Sequence, residues 1–148
     1  MRSNSDPIHT EALIASEKRR ALQELDASHS DWPVDVRIVY QAVTRHLFDE
    51  GITAQAITAS CGIYDNNVYC RFTEHVGYGI REFFIQHRLQ CAKRLLQHDM
   101  LTIEQVAHAV GYGSPSGFST TFKRRTGNTP SGFRQSGAQK DEKGSASC

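Results

Sequence analysis

The sequence predicts an all-α protein built from two helix-turn-helix subdomains on one long linker helix, preceded by a helical extension. Three observations predict it. Apolar residues recur at helical spacing through most of the chain. Thr102–Gly127 reads as a helix, a glycine turn and a second helix. That pattern then occurs a second time, upstream, in Thr53–Gly77.

Taken in order, residues 1–32 form a polar extension. Asp6-Pro7 opens a helix expected from about Thr10 to Leu25, with Leu13, Ile14, Ala21, Leu22 and Leu25 as its apolar members. The charged run Glu17-Lys18-Arg19-Arg20 interrupts this stripe, so a loosely attached surface helix is expected, with a docking or dimerising arm as the alternative. The segment is too short for a ligand-binding domain. Asp31-Trp32-Pro33 marks a boundary. Val34–Phe48 follows as a helix with the stripe Ile38, Val39, Ala42, Val43, His46 and Leu47, closed by Gly51.

The two copies align residue by residue. Thr53, Ile57, Gly62 and Ile63 match Thr102, Val106, Gly111 and Tyr112 at an offset of 49. Beyond the turn the offset is 50, matching Val68, Phe72, Gly77 and Phe83 to Phe118, Phe122, Gly127 and Phe133. One extra residue in the second turn accounts for the change. Between the copies, Ile80–Gln97 carries Ile80, Phe83, Phe84, Leu89, Ala92, Leu95 and Leu96 and reads as a largely buried helix of ~27 Å. Successive major-groove faces on one side of a duplex lie ~34 Å apart.

In the second copy Thr102 is a helix cap, with Glu104 and Gln105 in the first turn. Ile103, Val106, Ala107 and Val110 form one apolar face, and Gly111 turns the chain. Ser114-Pro115 restarts a helix as cap and first residue. Phe118 and Phe122 point inward from it, which leaves a small, polar, partly basic outer face of Ser116, Gly117, Ser119, Thr120, Lys123 and Arg124. Such a face suits a helix that enters a DNA major groove, although an ordinary helical hairpin shares the spacing. Gly127 stops the helix and Thr129-Pro130 starts the next. The tail 136–148 is small, polar and charged and is expected to be disordered. The domain organisation is therefore 1–32 extension, 33–135 tandem helix-turn-helix, 136–148 tail.

Composition bounds the function. With 148 residues, 39% apolar and 22% charged, the chain has the make-up of a globular protein with a real core. It has neither an apolar run of about eighteen residues nor an N-terminal signal core, so a cytoplasmic protein without a membrane is expected. Cys61, Cys70, Cys91 and Cys148 show no C-x-x-C pair and read as free thiols; Cys61, Cys70 and His75 fit no standard zinc spacing. No metal or cofactor is expected. No catalytic triad, carboxylate pair or phosphate loop stands out, so an enzyme is not expected. The net charge of +1 is low for a nucleic-acid binder. It is unevenly spread: residues 33–134 carry eleven Lys/Arg against eight Asp/Glu, and residues 1–32 carry four against six. Lys123-Arg124-Arg125 forms a basic run where phosphates would lie.

Residues 36–134 resemble the DNA-binding domain of the AraC/XylS transcription regulators. The resemblance rests on Arg88–Leu96, on Leu101-Thr102-Ile103 through Val106-Ala107, on Gly111–Ser119 and on Phe122–Arg134, TFKRRTGNTPSGFR with its leading threonine. It implies a bundle of seven helices, binding to double-stranded promoter DNA and usually activation through contact with RNA polymerase, and the duplication, by replacing a dimer, makes a monomer on DNA the expectation. In the first copy the groove-facing side of Tyr64–Thr73 would present Asp65, Asn66, Tyr69 and Cys70, with Val68 and Phe72 inward. In the second, Ser116, Gly117 and Thr120 would face bases while Lys123 and Arg124 lie near the backbone. Asn can bond bidentately to adenine, and Ser or Thr to several base edges. Asp65 could accept from cytosine, with a helix cap as the simpler role.

The chain departs from the family pattern in two respects. Many relatives carry Arg two residues before each inward Phe, where this chain has Cys70 and Thr120, and Arg71 lies ~100° further round the helix. The usual effector domain also has no counterpart here, so a stand-alone member without a small-molecule effector is expected. The competing expectation, motivated by the low charge and the missing arginines, is an eroded helix-turn-helix that binds a protein partner.

Overall fold

The computed structural model describes residues 7–25 and 29–143. Asp6, expected to open the first helix, and Cys148 lie outside the described residues. The described residues form an all-helical chain: α1 (Pro7–Leu25), α2 (Val34–Arg45), α3 (Ala54–Ser60), α4 (Asn67–Val76), α5 (Ile80–Leu96), α6 (Ile103–Ala109), α7 (Pro115–Thr126) and α8 (Pro130–Lys143). The first helix-turn-helix is α3–α4 and the second is α6–α7.

Two apolar clusters hold these elements, and α5 belongs to both. Its first half sends Ile80, Phe83 and Phe84 into a cluster with Val39, Val43 and Leu47 of the α2 region, Ile57 of α3, and Val68 and Phe72 of α4. Its second half sends Leu89, Ala92, Leu95 and Leu96 into a cluster with Val106, Ala107, Val110, Phe118 and Phe122. A helix that must bury one side along its first turns and another along its last has apolar residues most of the way round, which is why Ile80–Leu96 lacks a clean stripe. Phe72, Phe83, Phe118 and Phe122 are all fully buried. Removing each such ring from water contributes about 2–3 kcal/mol.

Along α2 the expected stripe is buried at Val39, Ala42, Val43 and Leu47 and departs from expectation at Ile38. Ile38 is 42% exposed and Val34 61%, while Val36, Val39, Tyr40, Val43 and Leu47 are buried. Val36 and Tyr40 complete the buried face in place of Ile38; Tyr40 packs edge-on against Phe83 with ring centroids 5.6 Å apart.

The extension is also more firmly held than expected. Ile14 and Ala21 of α1 pack on the second cluster, and Leu22 and Leu25 on the first, so α1 straddles both. The charged run that broke its stripe is part of the contact. Glu17 Oε2 lies 3.2 Å from His98 Nε2, and the Lys18 ammonium sits 5.0 Å from the Phe48 ring centre. Arg94 donates to Glu24 at 2.7 Å. At the other end of the chain α8 runs to Lys143, past the expected boundary at Ser136; residues 144–148 lie outside the described residues. Extending an existing helix needs no new nucleus, and Ala, Gln, Lys and Glu are good helix formers. Arg134 of α8 donates to the carbonyls of Leu96 (2.7 Å), His98 (3.1 Å) and Leu101 (2.6 Å), closing the loop after α5.

Candidate nucleic-acid interface

The duplication extends to individual hydrogen bonds. Thr53 Oγ1 accepts from the Ala56 N–H at 3.1 Å; Thr102 Oγ1 accepts from Gln105 N–H at 3.0 Å, and the Gln105 side chain returns the bond to complete a capping box. Both turns use a left-handed glycine, Gly62 at φ 74° and Gly111 at φ 102°. The next residue's N–H then reaches back five positions, Ile63 to Thr58 O at 2.9 Å and Tyr112 to Ala107 O at 3.0 Å. The second helices end alike, with Gly77 and Gly127 each donating at 2.8 Å to the carbonyl four residues back. Phe72 against Phe83 and Phe122 against Phe133 repeat the same edge-to-face pair, at 74° and 76°.

The copies differ where the second helix begins. In α7, Ser114 Oγ accepts from the Gly117 N–H at 3.1 Å, and Pro115 opens the helix. In the first copy the equivalent N–H, that of Asn67, is taken at 2.9 Å by the Asp65 carboxylate, and α4 starts only at Asn67. Tyr64–Asn66 therefore precede the helix expected to begin there. Aspartate supplies the same acceptor as serine from a tighter loop.

Each expected site residue can now be located. Asn66, Cys70, Ser116, Gly117, Thr120, Lys123 and Arg124 are exposed, while Val68, Phe72, Phe118 and Phe122 face inward. Asp65 is exposed as well, but its carboxylate is engaged by the Asn67 N–H and lies 3.6 Å from Arg71 Nη2. Tyr69 is half-buried and its hydroxyl is 3.2 Å from Thr58 Oγ1 on α3, which turns it back toward its own subdomain. Asn67 was not among the expected residues, yet it is exposed at the first position of α4. The offset of 50 that pairs Asn66 with Ser116 pairs Asn67 with Gly117, and this was the signal that could have found it.

Ion pairs engage two of the nearby cations. Arg71 donates to the Asp35 carboxylate through both Nε and Nη2, binding α4 to the start of α2. Arg125, the last of the basic run, makes two bonds to Glu82 of α5, at 2.6 and 2.7 Å. Arg125 foremost, then Gln86, holds the Glu82 carboxyl down to about 2, against an ordinary 4.5. No ion pair among the described residues involves Lys123 or Arg124.

The Arg125–Glu82 bond also ties the copies together, since Glu82 stands among first-cluster residues and Arg125 on α7. A second tie is Arg88, whose guanidinium donates to the carbonyls of Leu47 (2.6 Å) and Asp49 (2.7 Å) on one side and Gly111 (3.4 Å) on the other. Phe84 and Tyr112, with ring centres 5.0 and 5.7 Å from the Arg88 carbon, sandwich it. Two helix-turn-helix units, each offering an exposed short-polar helix face and both fastened to one helix, define a tandem helix-turn-helix domain.

Comparison with known proteins agrees. The helix-turn-helix domain family matches residues 57–136. The HTH-type transcriptional regulator GlxA of Rhizobium meliloti is 36% identical over 80 residues, which is 54% of this chain and 25% of that protein. A putative AraC-like transcription regulator of Streptomyces lividans is 32% identical over 83 residues, 56% of this chain and 27% of its own length. The chain thus spans about a quarter of the length of the curated relatives it matches. The DNA-binding domain of AdpA, a global transcriptional factor solved in complex with a target DNA, superposes with a TM-score of 0.63 at 22% identity, covering 72% of this chain and 98% of that one. That likeness establishes the fold. The chain belongs to the AraC-type helix-turn-helix family of transcription regulators. Among the described residues no helix is long and apolar enough to cross a membrane.

Proposed function

We propose that this chain is a sequence-specific transcription regulator that binds double-stranded promoter DNA as a monomer, with α4 and α7 in successive major grooves. The duplication carries the reading: two equivalent units in one polypeptide replace the dimer that most helix-turn-helix readers need. Both units are fastened to α5, whose 17 residues span about 26 Å. A stiff mounting of that length supports a match to grooves ~34 Å apart. Asn66, Cys70, Ser116, Gly117 and Thr120 form the base-facing set, and Lys123 and Arg124 take phosphates. Asp65 and Tyr69 shape the first copy. In this reading the protein acts in the cytoplasm and, as the family resemblance implies, activates through contact with RNA polymerase.

The engagement of Arg71 and Arg125 in ion pairs favours one alternative, a protein-interaction module with weak, indifferent DNA binding. Selection of bound DNA from a random pool, followed by affinity measurements against salt, separates the two. The expected result is a recovered site preferred by about 10³-fold or more over random sequence, with affinity falling steeply as salt rises. Binding indifferent to sequence, or no binding below about 100 mM salt, overturns the regulator reading in favour of the module.

A further inference from the structure

The second helices of the two copies present different chemistry. Residues 64–76 carry Asp65 and Glu74 against Arg71, a net of −1, whereas residues 114–126 carry Lys123, Arg124 and Arg125 with no acid, a net of +3. Ion pairing does not alter the sign of this contrast. With Arg71 held by Asp35, the charge left on the outer face of α4 is Glu74; with Arg125 held by Glu82, α7 still offers Lys123 and Arg124. At the leading end of each helix the contrast reverses. Asn66 and Asn67 are exposed, and neither amide side chain makes a hydrogen bond among the described residues; their equivalents in α7 are a hydroxyl, Ser116, and a residue without a side chain, Gly117.

An amide carries a donor and an acceptor in one plane and pairs bidentately with the N6 and N7 edge of adenine. A hydroxyl is satisfied by several base edges, and glycine reads none. A helix that repels phosphate through Glu74 gains less from the backbone and depends more on bases, while a helix with two cations outside any ion pair gains affinity at any sequence.

We infer that the two copies recognise different parts of the duplex. The α4 helix reads sequence through Asn66 and Asn67, and α7 anchors the complex on phosphates with little base discrimination. The inference rests on the reading of both faces as DNA-contacting. It adds Asn67 as a specificity-determining residue and names the target class: a duplex whose half facing α4 contains adenine at defined positions, joined to a loosely specified half facing α7.

The test uses the full chain and the site recovered by selection. Affinity for that site and for single-base variants is measured across salt concentrations for the wild type, Asn67→Ala, Thr120→Ala and the double variant Lys123→Ala/Arg124→Ala. All four positions are exposed, and circular dichroism checks that each variant is folded. Asn67→Ala is expected to abolish discrimination of about tenfold or more at an adenine in one half, with the salt slope unchanged. The double variant is expected to keep the base profile while the log–log salt slope loses about two in magnitude. Thr120→Ala, which marks the other half, is expected to change discrimination less than about threefold. Equal sequence information in both halves, an Asn67→Ala variant with the wild-type profile, or a double variant with the wild-type slope overturns the division of labour while leaving the regulator reading intact. Failure of the wild type to select any site overturns both.

Discussion

At the scale of single residues, the two turn glycines separate backbone from packing. Gly62 and Gly111 both adopt positive φ, where a side chain is strained. A Cβ on Gly62 would meet nothing within 4 Å, whereas one on Gly111 would come within 2.9 Å of the Arg88 guanidinium carbon and 3.0 Å of the Phe48 carbonyl oxygen. Gly62→Ala is therefore expected to lower stability by about 1–2 kcal/mol, the cost of the left-handed conformation alone. Gly111→Ala should cost about 1–3 kcal/mol more, because Arg88 must leave its carbonyls or the α6–α7 turn must shift. Urea unfolding of both variants checks this, and equal losses would show that Arg88 contributes nothing at Gly111. The glycines themselves were legible in the sequence, since a helix–Gly–helix pattern leaves a small menu of turns. Arg88's role was not, because its acceptors are backbone carbonyls 41 and 23 residues away. Asp65, Tyr69 and Asn67 show the same limit at the candidate interface. What Asp65 and Asn67 do depends on where α4 starts, since a shift of a few residues at a helix end exchanges a groove-facing position for a cap, and Tyr69 is turned by Thr58 on another helix.

Among the elements, those defined by several features at once match the sequence reading, and two read from a single stripe, α1 and α2, depart from it in part. The α3–α4 and α6–α7 units each combine a cap, a glycine and an inward aromatic or aliphatic pair, and each feature constrains the others. For α2 the stripe holds at Val39, Ala42, Val43 and Leu47 but not at Ile38, and Val36 and Tyr40 take the remaining inward positions, Tyr40 against rings contributed from elsewhere in the chain. The α1 helix looked loosely attached because Glu17 and Lys18 interrupt its stripe, yet both find partners on the docked face. Ala21, 8% exposed, packs within the second cluster on that face. Replacing it with arginine should dislodge α1 and cost about 1–3 kcal/mol, since a larger, charged side chain must be accommodated against α5. Limited proteolysis is the check: cleavage within α1 should accelerate while the α2–α8 part persists. Cleavage at the wild-type rate would mean that α1 is held by its ends and not by this face.

For the whole molecule, the arrangement of two units depends on ties that cross between them. Glu82 and Arg125 lie 43 residues apart in sequence, with no local pattern to announce the pair. Because Arg125 depresses the Glu82 carboxyl to about 2 from 4.5, the tie contributes stability that is complete above about pH 4.5 and is lost as pH falls through about 2. Glu82→Gln should therefore be less stable than wild type at neutral pH, with a gap that narrows as pH falls from 4.5 toward 2 in denaturant titrations. A gap independent of pH would assign the loss to packing.

The central claim is that one chain holds both units at a fixed separation suited to one duplex. Shortening the selected duplex so that it ends before the groove facing α7 removes that contact whatever its sequence. Measured by direct titration of DNA with protein, the full-length site should bind at one chain per duplex, and the shortened duplex should bind about tenfold more weakly or worse, with a smaller salt slope. An affinity unchanged by the shortening, or a complex on the full-length site that needs two chains, would contradict the claim.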